Sequence, residues 1–114
     1  MGLDFNVGEA HWSYPGFMAF REKVAKEIDL DLHLMSGYHV NGVAWDILDD
    51  PIKLLLNHSD CDGRLQPHEC QAVAKRLLEI IEHWPDDDWD KARAIELIDG
   101  MNECVEQDID LIFC

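Results

Sequence analysis

The chain has 114 residues, of which 47% are hydrophobic, so it can build one packed domain and is too apolar for a disordered chain. Its 24 acidic and nine basic residues give a net charge of −15, which disfavours direct binding to nucleic-acid phosphates and attracts cations or basic protein surfaces. No apolar run approaches the ~20 residues that span a bilayer, and no export signal opens the sequence, so it predicts a cytoplasmic protein without a membrane segment.

The first third of the chain predicts a strand, a helix and a poorly patterned region. Apolar residues alternate in "GLDFNV", which favours a short strand. Ser13 can cap a helix that runs to about Glu27, because the apolar residues that follow recur every three or four positions. After it, the alternation in "IDLDLHLM" predicts either a strand or an extended loop, and "SGYHVNG" is typical of a turn.

The rest of the chain is predicted to be mainly helical. Asp50 and Pro51 begin a short helix, and Pro67 begins a longer one that ends before "WP" at 84–85. The acids of "DDDWD" begin a last helix, and "DIDLIFC" favours a short strand. We expect the buried stripe of helix 67–83 to comprise Cys70, Val73, Ala74, Leu77, Leu78 and Ile81, and that of helix 88–106 to comprise Ala94, Leu97, Ile98, Met101, Cys104 and Val105.

These elements predict a mainly α, compact single domain over residues 1–114, with about four helices and short strands near the N- and C-termini. A short turn joins the last two helices, so they should pack as an antiparallel pair. Residues 86–110 contain ten acids and two bases, and their acids should form an acidic face. The carboxylates expected in water are Asp90, Glu96, Asp99, Glu103 and Glu106.

The segment "HSDCDGRLQPHE", residues 58–69, has the spacing of a calcium-binding loop. Calcium loops of the EF-hand type place oxygen ligands at positions 1, 3, 5, 7, 9 and 12 and a glycine at position 6. Counted from His58, position 6 is Gly63, and Leu65 provides the apolar residue at position 8 that packs inward. The segment therefore resembles a single EF-hand loop with its exiting helix. The predicted metal ligands are His58, Asp60, Asp62, Arg64 through its backbone carbonyl, Gln66 and Glu69.

Two departures from the EF-hand pattern set limits on this interpretation. His58 stands where an anionic oxygen is expected, although calcium prefers oxygen ligands, so binding of a divalent cation should be weak. EF-hands also occur in pairs, whereas the other acidic run, Asp86, Asp88 and Asp90, continues with Lys91 in place of the glycine. We interpret that second run as the start of a helix.

The same segment allows two other interpretations. It can be a bare helix–turn–helix corner, in which Gln66 caps the next helix and Glu69 folds back to the cap as in a capping box. Alternatively, it can bind Zn²⁺ through soft ligands. The zinc set would comprise His58, Cys61 and Cys70, with His68 or Cys114 as a further ligand. Without an export signal, reduced thiols or metal ligands are expected of the four cysteines rather than disulfides.

No catalytic motif is recognisable, so we expect a non-enzymatic protein that acts on a protein partner with a basic surface. An active site that pairs Cys61 with His58 is a further alternative. The motifs "HSDCDG", "CQAVAKRL" and "WPDDDWD" make the chain similar to small bacterial and phage proteins of uncharacterised function. That resemblance implies a compact intracellular protein, and it admits an acidic inhibitor or nucleic-acid mimic of the phage counter-defence type.

Overall fold

The first helix begins and ends where its capping residues predict. The computed structural model describes residues 2–38, 40–57 and 63–113 of the chain. Helix α1 (Tyr14–Glu27) follows Ser13, whose hydroxyl accepts a hydrogen bond from the backbone N–H of Gly16 at 3.0 Å. The predicted helix is confirmed, and its buried face carries Phe17 and Phe20.

The segment after α1 forms short helical turns. Residues Leu32–Leu34 and Trp45–Ile47 are 3-10 helices, and helix α2 is the single turn Lys53–Leu56. The carboxylate of Asp31 accepts a hydrogen bond from the backbone N–H of His33 at 3.1 Å, which favours a helical turn over an extended chain. The strand alternative for this region is therefore wrong, whereas the short helix after Pro51 is confirmed.

Helices α3 (Pro67–Ile81) and α4 (Trp89–Gln107) form the most extensive contact between elements. The thiol of Cys70, early in α3, lies near that of Cys104, late in α4. At the other end, the Lys91 amine donates to the backbone carbonyl of Trp84 at 2.8 Å. The two helices therefore run antiparallel, as predicted.

A two-stranded antiparallel sheet joins distant parts of the chain. Strand β1 (Arg64–Leu65) pairs with strand β2 (Leu111–Ile112), with Leu65 opposite Leu111. The predicted C-terminal strand is confirmed. The predicted N-terminal strand is reduced to single bridges, in which Leu3 pairs with Trp12 and Phe5 with Phe113.

One hydrophobic core lies beneath all of these elements. Its aromatic part includes Trp12, which stacks on Phe20 with 4.7 Å between ring centroids. A polar link crosses its edge, because the Arg21 guanidinium donates to the Tyr38 hydroxyl at 2.9 Å and that hydroxyl donates to the carbonyl of Leu56 at 2.7 Å. The architecture is mainly helical, with four α-helices among the described residues.

One residue of the predicted buried stripe of α3 lies at the surface. Leu77 is fully buried, but the side chain of Leu78 is 53% exposed. Successive helical residues are rotated by about 100°, so the two side chains cannot both face the same neighbour. Among the described residues, α4 is the main neighbour of α3, and it covers Leu77 while leaving Leu78 at its outer edge. The prediction that Leu78 is buried is wrong.

Candidate functional site

The first half of the predicted cation loop lies outside the described residues. Four residues that carry the calcium and zinc interpretations, His58, Asp60, Cys61 and Asp62, lie outside the described residues, as does Cys114. The description resumes at Gly63, so the geometry concerns the second half of the loop.

Gly63 has the backbone conformation that the sixth position of the loop requires. Its φ angle is +100°, in a region that residues with a side chain rarely adopt. Its carbonyl accepts a hydrogen bond from the backbone N–H of Phe113 at 3.0 Å. The sharp turn is therefore fixed at the edge of the sheet.

The two residues after Gly63 anchor the loop to the sheet. Leu65, at position 8, is 2% exposed and faces the core, as the EF-hand pattern predicts. Arg64, at position 7, lies opposite Ile112, and its guanidinium is 3.2 Å from the carboxylate of Asp110. The guanidinium of Arg64 is thus directed to the sheet, while the proposed role of its carbonyl stays a prediction.

Gln66 and Glu69 form the start of α3. Gln66 is the N-cap residue and Pro67 the first residue of the helix, and the Glu69 carboxylate accepts a hydrogen bond from the backbone N–H of Gln66 at 2.8 Å. The helix start that the bare-corner interpretation requires is therefore present. The hydrogen bond occupies one oxygen of Glu69, the residue at position 12, where an EF-hand loop uses both carboxylate oxygens. Cation binding by this residue stays a prediction.

The environment of Cys70 argues against the zinc interpretation. Its thiol is fully buried and lies 3.7 Å from the carbonyl of Leu65. Burial, and next the proximity of Cys104, raise the pKa of Cys70 to about 12, whereas zinc binds the thiolate. His68 is exposed and lies two residues away on α3, about 200° around the helix. Cys70 and His68 therefore do not converge on one ion, and the described residues contain no group of three His, Cys, Asp or Glu side chains that could hold a metal.

The acidic run at residues 86–91 is a helix start, as predicted. Asp88 is the N-cap residue of α4, and its carboxylate accepts a hydrogen bond from the backbone N–H of Lys91 at 3.1 Å. Lys23 of α1 lies 2.5 Å from Asp88, and the Lys91 amine lies 2.9 Å from Asp86. Hydrogen bonds from these lysines lower the pKa of both aspartates, so lysines of the same chain partner these acids of the run.

A cavity of about 210 Å³ between the N-terminal loop and α4 is lined mainly by acidic residues. The sequence did not predict that Glu9 would belong to it. Gly8, with φ of +79°, touches Gly100 in the middle of α4, where an added Cβ would lie 3.0 Å from the Val7 carbonyl. The signal for this contact was Gly100, because a glycine inside a helix often marks close approach of another backbone. We call the cavity the acidic cup, and its carboxylates are Glu9, Glu96, Asp99 and Glu103.

The predicted acidic face is only partly exposed. Asp99 and Glu106 are exposed, Glu103 is half-buried, and the side chains of Asp90 and Glu96 are only 25% exposed. Asp90 accepts a hydrogen bond from the indole of Trp12 and faces Lys23, and Glu96 pairs with Arg93. Local bases therefore hold two of the five predicted acids against the protein surface, which corrects that prediction.

Comparisons of the chain with protein-family models, curated proteins and solved structures find no match. Within the described residues, no helix combines the length and the apolar composition that a membrane span needs.

Proposed function

We infer that this chain is a non-enzymatic acidic protein that binds a partner with a basic surface, and that its 58–69 loop weakly binds a divalent cation, Ca²⁺. The observation that carries the cation part is the arrangement of Gly63, Leu65 and Glu69. The turn glycine, the inward apolar residue and the returning carboxylate stand at positions 6, 8 and 12 of an EF-hand loop.

The composition of the loop explains why binding should be weak. Asp60, Asp62 and Glu69 offer three carboxylates, and His58 replaces the first anionic ligand. We expect a dissociation constant on the order of 10⁻⁴–10⁻³ M, the range of the weakest sites of this kind. Because β1 joins the loop to β2, cation binding would stabilise the fold as well as the loop.

Thermal unfolding with and without calcium tests the cation site. At ten times the dissociation constant, binding adds about 1.4 kcal/mol to the unfolding free energy, which raises Tm by about 6 °C. Glu69→Gln should retain the helix cap, because glutamine also accepts a hydrogen bond at this position, but lose the calcium response. Glu82→Gln removes the same charge from an exposed residue after α3 and should respond as the wild type does.

As a control, thermal unfolding is also measured in sodium chloride at the same ionic strength, which shows how much of the stabilisation comes from general screening of the acidic chain. His58→Asp should tighten calcium binding by adding an anionic ligand. Equal responses of the wild type, Glu69→Gln and Glu82→Gln would show that calcium acts only by screening and would contradict the site. Stoichiometric zinc in the purified protein, with strong destabilisation by EDTA, would favour the zinc alternative instead.

The acidic cup supports the partner part of the proposal. Four carboxylates surround one cavity on a chain of net charge −15, and such a field attracts a basic protein surface. An inhibitor that occupies a basic site, including a site for nucleic acid, is the second candidate function, because the cup gathers charge in the way that such a site would recognise.

Charge reversal at the cup and at the neighbouring Glu106 tests partner binding. Asp99→Lys, Glu103→Lys and Glu106→Lys together should weaken a captured complex and reduce its salt dependence, because steering by exposed charges is screened by salt. The control variant makes the same change in net charge elsewhere, at exposed Asp46, Asp49 and Glu82. Equal affinity of the wild type and the cup variant, without salt dependence, would contradict docking at the cup. Competition between nucleic acid and the protein for the partner would identify the inhibitor function.

A further inference from the structure

A groove on the outer side of α3 and α4 differs from the rest of the surface. It encloses about 320 Å³, and Ala74 and Ile98, which are 3% and 6% exposed, form its floor. Leu78 stands at its wall with half of its side chain in water. Ile95 is 43% exposed and lies one helical turn from Ile98, so the apolar surface continues along α4. The remaining lining residues are Gln71, Lys75 and Asn102.

The groove is neutral on one side and basic on the other, in a strongly acidic chain. None of its lining residues is acidic, although 24 of the 114 residues are acids. The acidic cup has four carboxylates, and the cavity beside the end of α1 has three, from Glu22, Asp29 and Asp31. Lys75 brings the only charge to the groove and forms no ion pair with the described residues.

This charge pattern identifies the occupant. A basic partner is attracted to carboxylates, and the lining of the groove contains none that would bind it. Two copies of this chain, each of net charge −15, repel one another wherever acidic surfaces meet. The lining of this groove contains no carboxylate, so two copies meet less repulsion there than at the acidic cup, whose lining has four. We propose that the α3–α4 groove binds the same groove of a second copy of the chain, to form a two-fold symmetric dimer.

The helical phase of α4 makes the two surfaces self-complementary. At about 100° per residue, Asp99 and Glu106 lie beyond Ile95 and Asn102, at the outer rim of the groove. Both acids are exposed. In a two-fold arrangement the same patch meets itself, so Leu78 of each copy enters the groove of the other and Lys75 faces the acidic rim. Two antiparallel helix pairs then form a four-helix layer.

The size of the groove predicts a reversible dimer. Helix α3 has 15 residues and is about 22 Å long, so a surface two helices wide covers roughly 400 Å² per copy. The total is below the ~1,200 Å² at which stable interfaces begin, so the dimer should dissociate on dilution. Salt should strengthen it, because screening reduces the repulsion between the two copies.

Sedimentation of the full chain over micromolar to millimolar concentrations tests the proposal. The average mass should rise from the 13.1 kDa monomer towards twice that value, and further in high salt. Leu78→Glu should keep the protein monomeric. Because Leu78 is exposed, this variant should still fold, which circular dichroism can verify. Ile47→Glu is the control, since Ile47 is 72% exposed and lies outside the groove.

A wild-type chain that stays at 13.1 kDa throughout would overturn the proposal. So would a dimer that survives Leu78→Glu, or one that Ile47→Glu abolishes, because association would then use another surface. The dimer surface shares Asp99 and Glu106 with the surface tested for the partner, but the two associations respond to salt in opposite directions. A complex with a basic partner weakens as salt rises, whereas this dimer strengthens, so failure of one can be told from failure of the other.

Discussion

The chain contains two acidic runs of similar spacing, the 58–69 loop and the 86–91 run, and they differ in their bases. In the second run, Lys91 stands where the loop has Gly63, and Lys23 of α1 approaches from the side. The two lysines pair with aspartates of the run, Asp88 caps α4 by accepting a hydrogen bond from the backbone N–H of Lys91, and the Lys91 amine donates to the carbonyl of Trp84 after α3. In the described half of the loop, Arg64 is the sole base, and it faces Asp110 in the sheet.

The comparison teaches that alternating acids do not by themselves indicate a cation site. A run whose acids are partnered by lysines of the same chain is part of the fold. For the 58–69 loop, which turns on Gly63 and whose Arg64 faces the sheet, binding of an external cation is our proposal. The two runs differ at position 6, where one has Gly63 and the other has Lys91.

Among the substitutions that test this difference between the two runs, the largest loss of stability is expected at Lys91. Its side chain is only 12% exposed, and its amine contacts the carbonyl of Trp84 and the carboxylate of Asp86. Lys91→Met keeps the aliphatic stem but removes these hydrogen bonds, so we expect a loss of about 2 kcal/mol, or about 8 °C in Tm.

The matched control is Lys26→Met, at an exposed lysine in the last turn of α1, which should change stability by less than about 0.5 kcal/mol. Equal, small effects of the two variants in thermal unfolding would contradict the structural role of Lys91. Calcium should raise Tm equally in both variants, because the 86–91 run does not belong to the proposed cation site.

A smaller effect is expected at Asp88, and it depends on pH. The hydrogen bond from Lys23 is the main cause that lowers the pKa of Asp88, and the backbone N–H of Lys91 adds to it. A carboxylate with a lowered folded-state pKa stabilises the protein above its unfolded pKa of about 3.9, and this contribution is lost as the pH falls through the folded value. Asparagine retains the cap but not the ion pair.

We therefore expect Asp88→Asn to cost less than about 1 kcal/mol at neutral pH. As the pH falls from about 5 through the lowered folded-state pKa of Asp88, the wild type should lose more unfolding free energy than the variant, and the two should converge below that pKa. Chemical denaturation at a series of pH values measures the difference. A difference that is constant with pH would show that the Lys23–Asp88 pair does not contribute.

The parts of the fold that the sequence predicted depend on local signals. Ser13, Pro67 and Asp88 mark helix starts by their own hydrogen bonding or backbone geometry, so α1, α3 and α4 lie where expected. The alternation in 28–34 was misleading because Asp31 closes a turn locally. Such a bond competes with strand geometry without changing the apolar pattern.

The features that sequence reasoning missed depend on which neighbours meet. Leu78 fits the apolar stripe of α3 as well as Leu77 does, and only the position of α4 exposes it. Glu9 joins the acidic cup because Gly8 packs on Gly100, a contact between residues far apart in the chain. Periodicity describes one helix at a time and cannot identify the element that covers it.

The pairing of β1 with β2 has a consequence for the order of folding. This pairing closes a loop of chain that contains all of α3 and α4. Closing a long loop costs conformational entropy, and that cost precedes the stabilisation from the contacts that the closure forms. The local α3–α4 hairpin can form before that closure, whereas the turn at Gly63 depends on Phe113. We therefore expect the loop to become ordered late in folding, so that an occupied cation site would slow unfolding and leave the folding rate nearly unchanged.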